Sequence, residues 1–253
     1  LLFVLVFVLS TPFWLIGAIS KVQLLPGLPV SAFAVICPGL AALILTHRTG
    51  GWSAVRALIR RLVDWKEIKP AWWLLLILFL IPAQSVLVFR VMQLLHLPLP
   101  NPQIEMLSIP FLLLIFLAAA VGEELGWSGY AIDALQKSYG ALLGSLILGL
   151  VWAAWHIIPL LQAERTTEWI AWWCLNTLAL RVIHTSLYNN TGKSVFGAVL
   201  FHASNNISWQ LFPNQGSHFD PKISGLILAA IAVWIVAIWG PATLSRHHTP
   251  GAA

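Results

Sequence analysis

Charge is what this sequence has least of: 9% of its 253 residues are Asp, Glu, Lys or Arg, against about 25% in an average soluble domain. With 59% hydrophobic residues, that scarcity excludes a solvated globular surface and points to a chain immersed in lipid. Cysteine is nearly missing too. Cys37 and Cys174 lie in apolar runs with no CxxC and no second pair, which argues against a disulfide framework and a cysteine metal site and leaves them as packing residues. Neither a GxSxG nucleophile signature nor an HExxH metalloprotease signature occurs, and there is no lipidation box or internal repeat. The N-terminal run LLFVLVFVLSTPFWLIGAI has no initiator Met and no charged leader, so it reads as a first span rather than a signal peptide. No polar block is large enough for a separate soluble core, so the expectation is one membrane domain over 1–253.

The basic residues sit where a membrane protein needs them. Of fourteen Lys and Arg, six (Arg48, Arg56, Arg60, Arg61, Lys66 and Lys69) fall in one segment between two apolar runs, which the positive-inside rule assigns to the cytoplasm. This placement, despite a net charge of +5, argues against a nucleic-acid partner; the lipid bilayer is the expected surroundings. At about 20 apolar residues per helical span, spans fall near 1–20, 29–47, 70–96, 106–136, 140–162, 168–188, 193–212 and 222–241. The expected fold is all-α, a polytopic bundle of about eight transmembrane helices, with both termini in the cytoplasm and LHLPLPNPQ outside. Between the second and third spans, at about 50–66, Trp52, Val55, Leu58, Ile59 and Leu62 recur at helical spacing opposite Arg56, Arg60, Arg61 and Asp64. That pattern predicts an amphipathic interfacial helix.

Against this background VGEELGWSGY is conspicuous, because Glu123 and Glu124 end the apolar run FLLLIFLAAA. A charge at bilayer depth costs about 2.5–3.5 kcal/mol on insertion scales, so an intramembrane carboxylate is a functional-site hypothesis. No strong breaker follows until Ser138-Tyr139-Gly140, so the fourth and fifth spans are expected to form a long hairpin. With its turn between residues 139 and 140, Glu123 and His156 stand equally far from it and share one level. The seventh span adds His202 and Asn206, which face one way by i, i+4 spacing, while Asn205 is expected to point elsewhere. Singly, each of these fits a packing role, with Glu123 as a hydrogen-bond partner, His156 as a packing histidine and His202 and Asn206 as interhelical glue. Together, Glu123, Glu124, His156, His202 and Asn206 favour a site. His184 and Arg181 share a face of the sixth span and are left outside it; His218, His247 and His248 fall in loop or tail.

At these residues the chain resembles the CPBP intramembrane proteases, which include the type II CAAX prenyl endopeptidases and bacteriocin-processing or immunity homologues. The first motif of that family, EExxxR, is met by Glu123-Glu124-Leu-Gly-Trp-Ser128, the second, an aromatic residue four before a His, by Trp152 to His156, and the third, HxxxN, by His202 to Asn206. The family-like core covers about 104–212. The departure is Ser128, where the pattern has Arg; a serine offers Glu124 only a neutral hydrogen bond, and the alternative is that Arg181 of the neighbouring span supplies the charge instead.

The resemblance implies an intramembrane endopeptidase acting on membrane-associated protein or peptide substrates, in the cytoplasmic membrane of a prokaryote. It assigns Glu123 and His156 to water activation and proton transfer, His202 and Asn206 to the oxyanion and an accessory role to Glu124. Ser128 keeps open the alternative of a catalytically impaired immunity or scaffold protein. Two His and a Glu would also suit zinc, but the carboxamide of Asn206 is a weak ligand, so no cofactor is the favoured expectation.

Overall fold

The computed structural model describes residues 1–246 except 21, 105, 213 and 215; His247 and His248, and the rest of the tail within the expected domain, lie outside them. The described chain forms eight α-helices: α1 (Leu2–Ser20), α2 (Cys37–Arg60), α3 (Trp73–Leu94), α4 (Ile109–Gly126), α5 (Ile132–Gln162), α6 (Thr167–Asn190), α7 (Val195–Leu211) and α8 (Pro221–Trp239). The only strands among the described residues are the short antiparallel pair β1 (Gln23–Leu25) and β2 (Leu28–Pro29), so the fold is an all-α bundle. The last three helices, α6, α7 and α8, start at side-chain caps. Thr166 accepts from the Trp169 N–H at α6, and Asp220 accepts from Lys222 and Ile223 at α8, satisfying donors that no helical turn can reach.

Eight helices are not eight simple rods. α4 runs through a π-helical turn, Trp127–Ala131, into the first part of α5, and the chain reverses inside α5 at Gly140 (φ 77°), a backbone conformation that favours glycine. The expected hairpin therefore turns where Gly140 was read to turn it. The carbonyls of Ala242 and Pro241 accept from the N–H groups of Ala141 and Leu142, both at 2.9 Å, so the C-terminal segment caps the second arm.

Apolar side chains cover the outside of the bundle as well as filling much of its core, and a polar cluster lies within. Val4, Val8, Ile19, Leu114, Val233 and Trp234 face outward, while Glu123, Glu124, Arg181, His184 and His202 are buried. Among the described residues five segments are long and apolar enough to cross a membrane: Leu2–Ser20, Val30–Val63, Trp73–Leu94, Met106–Gln162 and Pro221–Trp239, with Met106–Gln162 doubling back at Gly140. α7, at 17 residues, is shorter than these, and α6 is less apolar because it carries buried polar residues of the interior such as Asn176, Arg181 and His184. The chain is an integral, multi-pass membrane protein.

The amphipathic insert begins where α2 breaks at Gly51 and continues as two 3-10 turns to Glu67. On its apolar side Val55 and Leu58 are buried while Trp52 and Ile59 are exposed, and two of the charges on the opposite side turn inward. Arg61 donates to the Gly129 carbonyl at 2.8 Å, to the Lys193 carbonyl at 3.0 Å and to the Tyr188 hydroxyl. Asp64 accepts from the Ser194 hydroxyl at 2.6 Å and from the Val195 and Phe196 N–H groups, both at 3.1 Å. A carboxylate at a helix N-terminus is favoured by unpaired N–H groups and the helix dipole, so the insert is fastened to α7 and to the π turn rather than only lying in the interface.

Candidate active site

Backbone packing sets where the two adjacent carboxylates point. A Cβ on Gly122 would stand 2.5 Å from the Val35 carbonyl oxygen, and one on Gly126 2.5 Å from that of Pro38. These two glycines, four apart, thus press one face of α4 onto the chain entering α2, the close approach that small residues permit in membrane helices. Glu123 and Glu124 turn into the bundle. The π turn that follows is a feature often found at functional sites. From it the Trp127 indole reaches back to Glu123 and the Ser128 hydroxyl to Glu124.

The two carboxylates have different surroundings. Glu123 Oε2 accepts from the Trp152 indole at 2.7 Å and from Trp127 at 3.3 Å, while its Oε1 lies 3.8 Å from His202 Nε2. Glu124 sits deeper, fully buried. Arg181 donates to its Oε2 at 3.3 Å and Oε1 at 3.2 Å, His202 Nδ1 meets Oε1 at 2.8 Å, and His184 Nε2 stands 3.8 Å from Oε2. The guanidinium also lies over the Trp152 ring at 4.4 Å, so one indole contacts both the cation and Glu123. A buried carboxylate without such partners would carry a desolvation penalty of several kcal/mol.

Hydrogen bonding defines the imidazoles as well. His156 Nδ1 is 2.9 Å from the Trp152 carbonyl; a carbonyl only accepts, so Nδ1 carries a proton and in the neutral ring Nε2 keeps its lone pair. His184 Nε2 is likewise committed to the Ala198 carbonyl at 3.1 Å. The His156 ring stands among Trp152, Trp155 and Trp173, with centroids 5.4, 4.7 and 5.1 Å away.

A cavity of about 470 Å³ joins these groups. Glu123, His156, His202 and Asn206 all line it, whereas Glu124 does not and stands behind His202. Asn205, expected to point away, lines the cavity too and donates to Asn206 Oδ1 at 3.3 Å. The π turn and the tilt of α7 against α4 are not visible in a simple i, i+4 projection. Arg181 and His184, left outside the site from sequence, belong to the cluster around Glu124. Their signal was present, since an intramembrane Arg three residues from a His is itself a functional flag. Among the described residues no three His, Cys, Asp or Glu side chains are grouped to hold a metal ion.

Fold and site together define a polytopic membrane protein with a carboxylate–histidine cluster facing an internal cavity. Residues 105–208, which contain every one of these groups, match the family model described as type II CAAX prenyl endopeptidase Rce1-like. A curated protein of Methanococcus maripaludis, CAAX prenyl protease 2, is 31% identical over 137 residues, a stretch covering 50% of this chain and 50% of that protein. The aligned stretch thus spans about half the length of that relative. The likeness to the CPBP intramembrane proteases that the motifs carry is shown over this core.

Proposed function

We propose that the protein is an intramembrane endopeptidase that hydrolyses peptide bonds of membrane-associated protein or peptide substrates with an activated water. The observation that carries this reading is the orientation of Glu123. Two indoles hold one oxygen while the other faces His202 beside the cavity that His156 and Asn206 also line. The CAAX protease names of the matching family and relative support the same class of activity.

In this mechanism a water in the cavity attacks the scissile carbonyl carbon as Glu123 takes its proton. The Nε2 lone pair of His156 takes that proton from Glu123 and gives it to the departing nitrogen, so that the nitrogen leaves as a neutral amine as the oxyanion collapses and Glu123 returns to a carboxylate. His202 has an acidic partner on each side, Glu124 at Nδ1 and Glu123 at Nε2. With an N–H on both nitrogens it donates to the oxyanion, assisted by the Asn206 carboxamide. Glu124 holds His202 and touches no reacting atom. No cofactor enters this scheme. The buried Arg181 pairing removes the main argument for an impaired immunity or scaffold protein, because Glu124 has its cation without the motif arginine.

The test is cleavage of membrane-anchored peptides by the purified chain in lipid nanodiscs. Glu123→Gln and His156→Ala should each abolish cleavage while thermal unfolding stays close to that of the parent protein. Cleavage that survives both substitutions overturns the assignment.

A further inference from the structure

Among the described residues the cavity wall carries two charged side chains besides its histidines, Glu123 and Arg165. Arg165 lies just beyond α5, at the end of the bundle away from the insert. Its guanidinium stacks over the Trp169 ring at 4.8 Å and is half buried; that burial lowers its pKa from the ordinary arginine value. The β1–β2 turn closes on it, since a Cβ on Gly27 would stand 3.0 Å from Nη2. Yet it makes no ion pair or hydrogen bond with any described residue, although Glu164 and Glu168 are near in sequence. A partly desolvated guanidinium held by an aromatic face and left with its donor fork open is suited to a planar anion.

We propose that Arg165 anchors a carboxylate of the peptide substrate, so that the chain lies along the cavity from Arg165 to Glu123 and His156. This deepens the proteolytic reading and rests on it for the word substrate. α5 runs six residues from His156 to its end at Gln162, a rise of about 9 Å. That separation accommodates a few residues of extended peptide, at about 3.3 Å each, between anchor and reacting groups. The intervening wall is largely apolar, with Leu28, Phe33, Leu160 and Trp173, so a hydrophobic segment ending in, or followed by, an acidic group is the complementary occupant.

The test uses the full chain carrying Glu123→Gln, so that nothing is cut and binding is read independently of proteolysis. Three fluorescein-labelled peptides are titrated against it in phosphatidylcholine nanodiscs: Ala-Leu-Val-Leu with a free carboxylate, the same peptide as its carboxamide, and Ala-Leu-Val-Glu as its carboxamide. With Arg165 present the free acid should bind about tenfold more tightly than the neutral carboxamide, the scale of one charge-assisted hydrogen-bonded pair. Arg165→Gln should bring that ratio to about one and Arg165→Lys should retain part of it, with unfolding temperatures confirming intact protein. If the glutamate carboxamide binds like the free acid, the anchor takes acidic side chains; if it binds like the neutral peptide, the α-carboxylate is the ligand. Equal binding of acid and neutral carboxamide in the Arg165 protein, or a preference that persists in Arg165→Gln, overturns the anchor. Failure of cleavage in the unsubstituted protein with this preference intact would instead count against the proteolytic reading alone.

Discussion

Arg181 meets both carboxylate oxygens of Glu124, at 3.3 and 3.2 Å, inside a bundle where each side chain is almost wholly buried. The two residues lie 57 apart in sequence and on different helices. The neighbouring Ser128, standing where the motif has arginine, gives Glu124 a hydroxyl. The positive charge facing Glu124 thus comes from α6 rather than from the turn that follows α4.

If Arg181 supplies the charge, Arg181→Ala leaves the buried Glu124 with only His202 and Ser128 as hydrogen-bond partners; breaking a buried ion pair costs about 3–5 kcal/mol and should abolish cleavage with a clear fall in unfolding temperature. Ser128→Arg alone would crowd two cations against one carboxylate and should lower both activity and folded yield. The double variant Ser128→Arg/Arg181→Ala should recover part of each, because one cation again faces Glu124. Full activity in Arg181→Ala would show that the pair does not orient His202.

Trp152 is expected to act on rate more than on stability. Its indole N–H donates to Glu123 at 2.7 Å, and Trp152→Phe keeps an aromatic ring while removing that donor. Loss of a hydrogen bond to a charged group is worth about 1.5–3 kcal/mol, so kcat/KM should fall on the order of tenfold to a hundredfold. Kinetics in nanodiscs alongside thermal unfolding would separate this from a packing defect, which would move KM and stability together.

What the sequence makes legible follows from which interactions are local. The passes of the bundle can be read from apolar runs ended by proline and glycine, and the hairpin from Gly140, because these are properties of consecutive residues. The levels of Glu123 and His156 follow from counting along two arms of one hairpin. The π turn at Trp127–Ala131 cannot be read this way, since an extra residue per turn leaves no compositional mark. Nor can the inward course of Arg61 and Asp64, because amphipathic patterning sends charge to solvent unless a distant partner is known. The bond between Arg181 and Glu124 is legible as one of two alternatives, because Ser128 leaves Glu124 without the motif cation and Arg181 stands on a neighbouring span; its contact with both carboxylate oxygens is set by helix packing that no local pattern records.

Gly126 provides a test of how α4 aims its carboxylates. Gly126→Ala would put a methyl 2.5 Å from the Pro38 carbonyl oxygen, and backbone on both sides leaves little room to yield. Overpacking of this kind costs about 1–3 kcal/mol. The variant should show reduced folded yield and a lower unfolding temperature. Any folded fraction should cleave poorly, because displacing α4 rotates Glu123 away from Trp152. A fully stable, fully active Gly126→Ala protein would mean that the close approach to Pro38 is not needed.

The last prediction concerns metal dependence. Glu124 is engaged by Arg181, Ser128 and His202, and His184 Nε2 by a backbone carbonyl. That leaves Glu123 Oε1, His156 Nε2 and His202 Nε2 as the best remaining ligands, and His202 offers a lone pair there only without its Nε2 proton. A catalytic zinc needs about three good protein ligands with a water in the open position, so these three groups would all have to turn from acid–base work to ligation. On the proposed mechanism they do not. Cleavage by the purified protein should therefore survive exhaustive dialysis against a tight chelator, and elemental analysis should find less than stoichiometric zinc in active preparations. Loss of activity on chelation, restored by zinc and accompanied by a rise in unfolding temperature that Glu123→Gln and His202→Ala both remove, would overturn the metal-free mechanism, because binding linked to those ligands would then stabilise the folded chain.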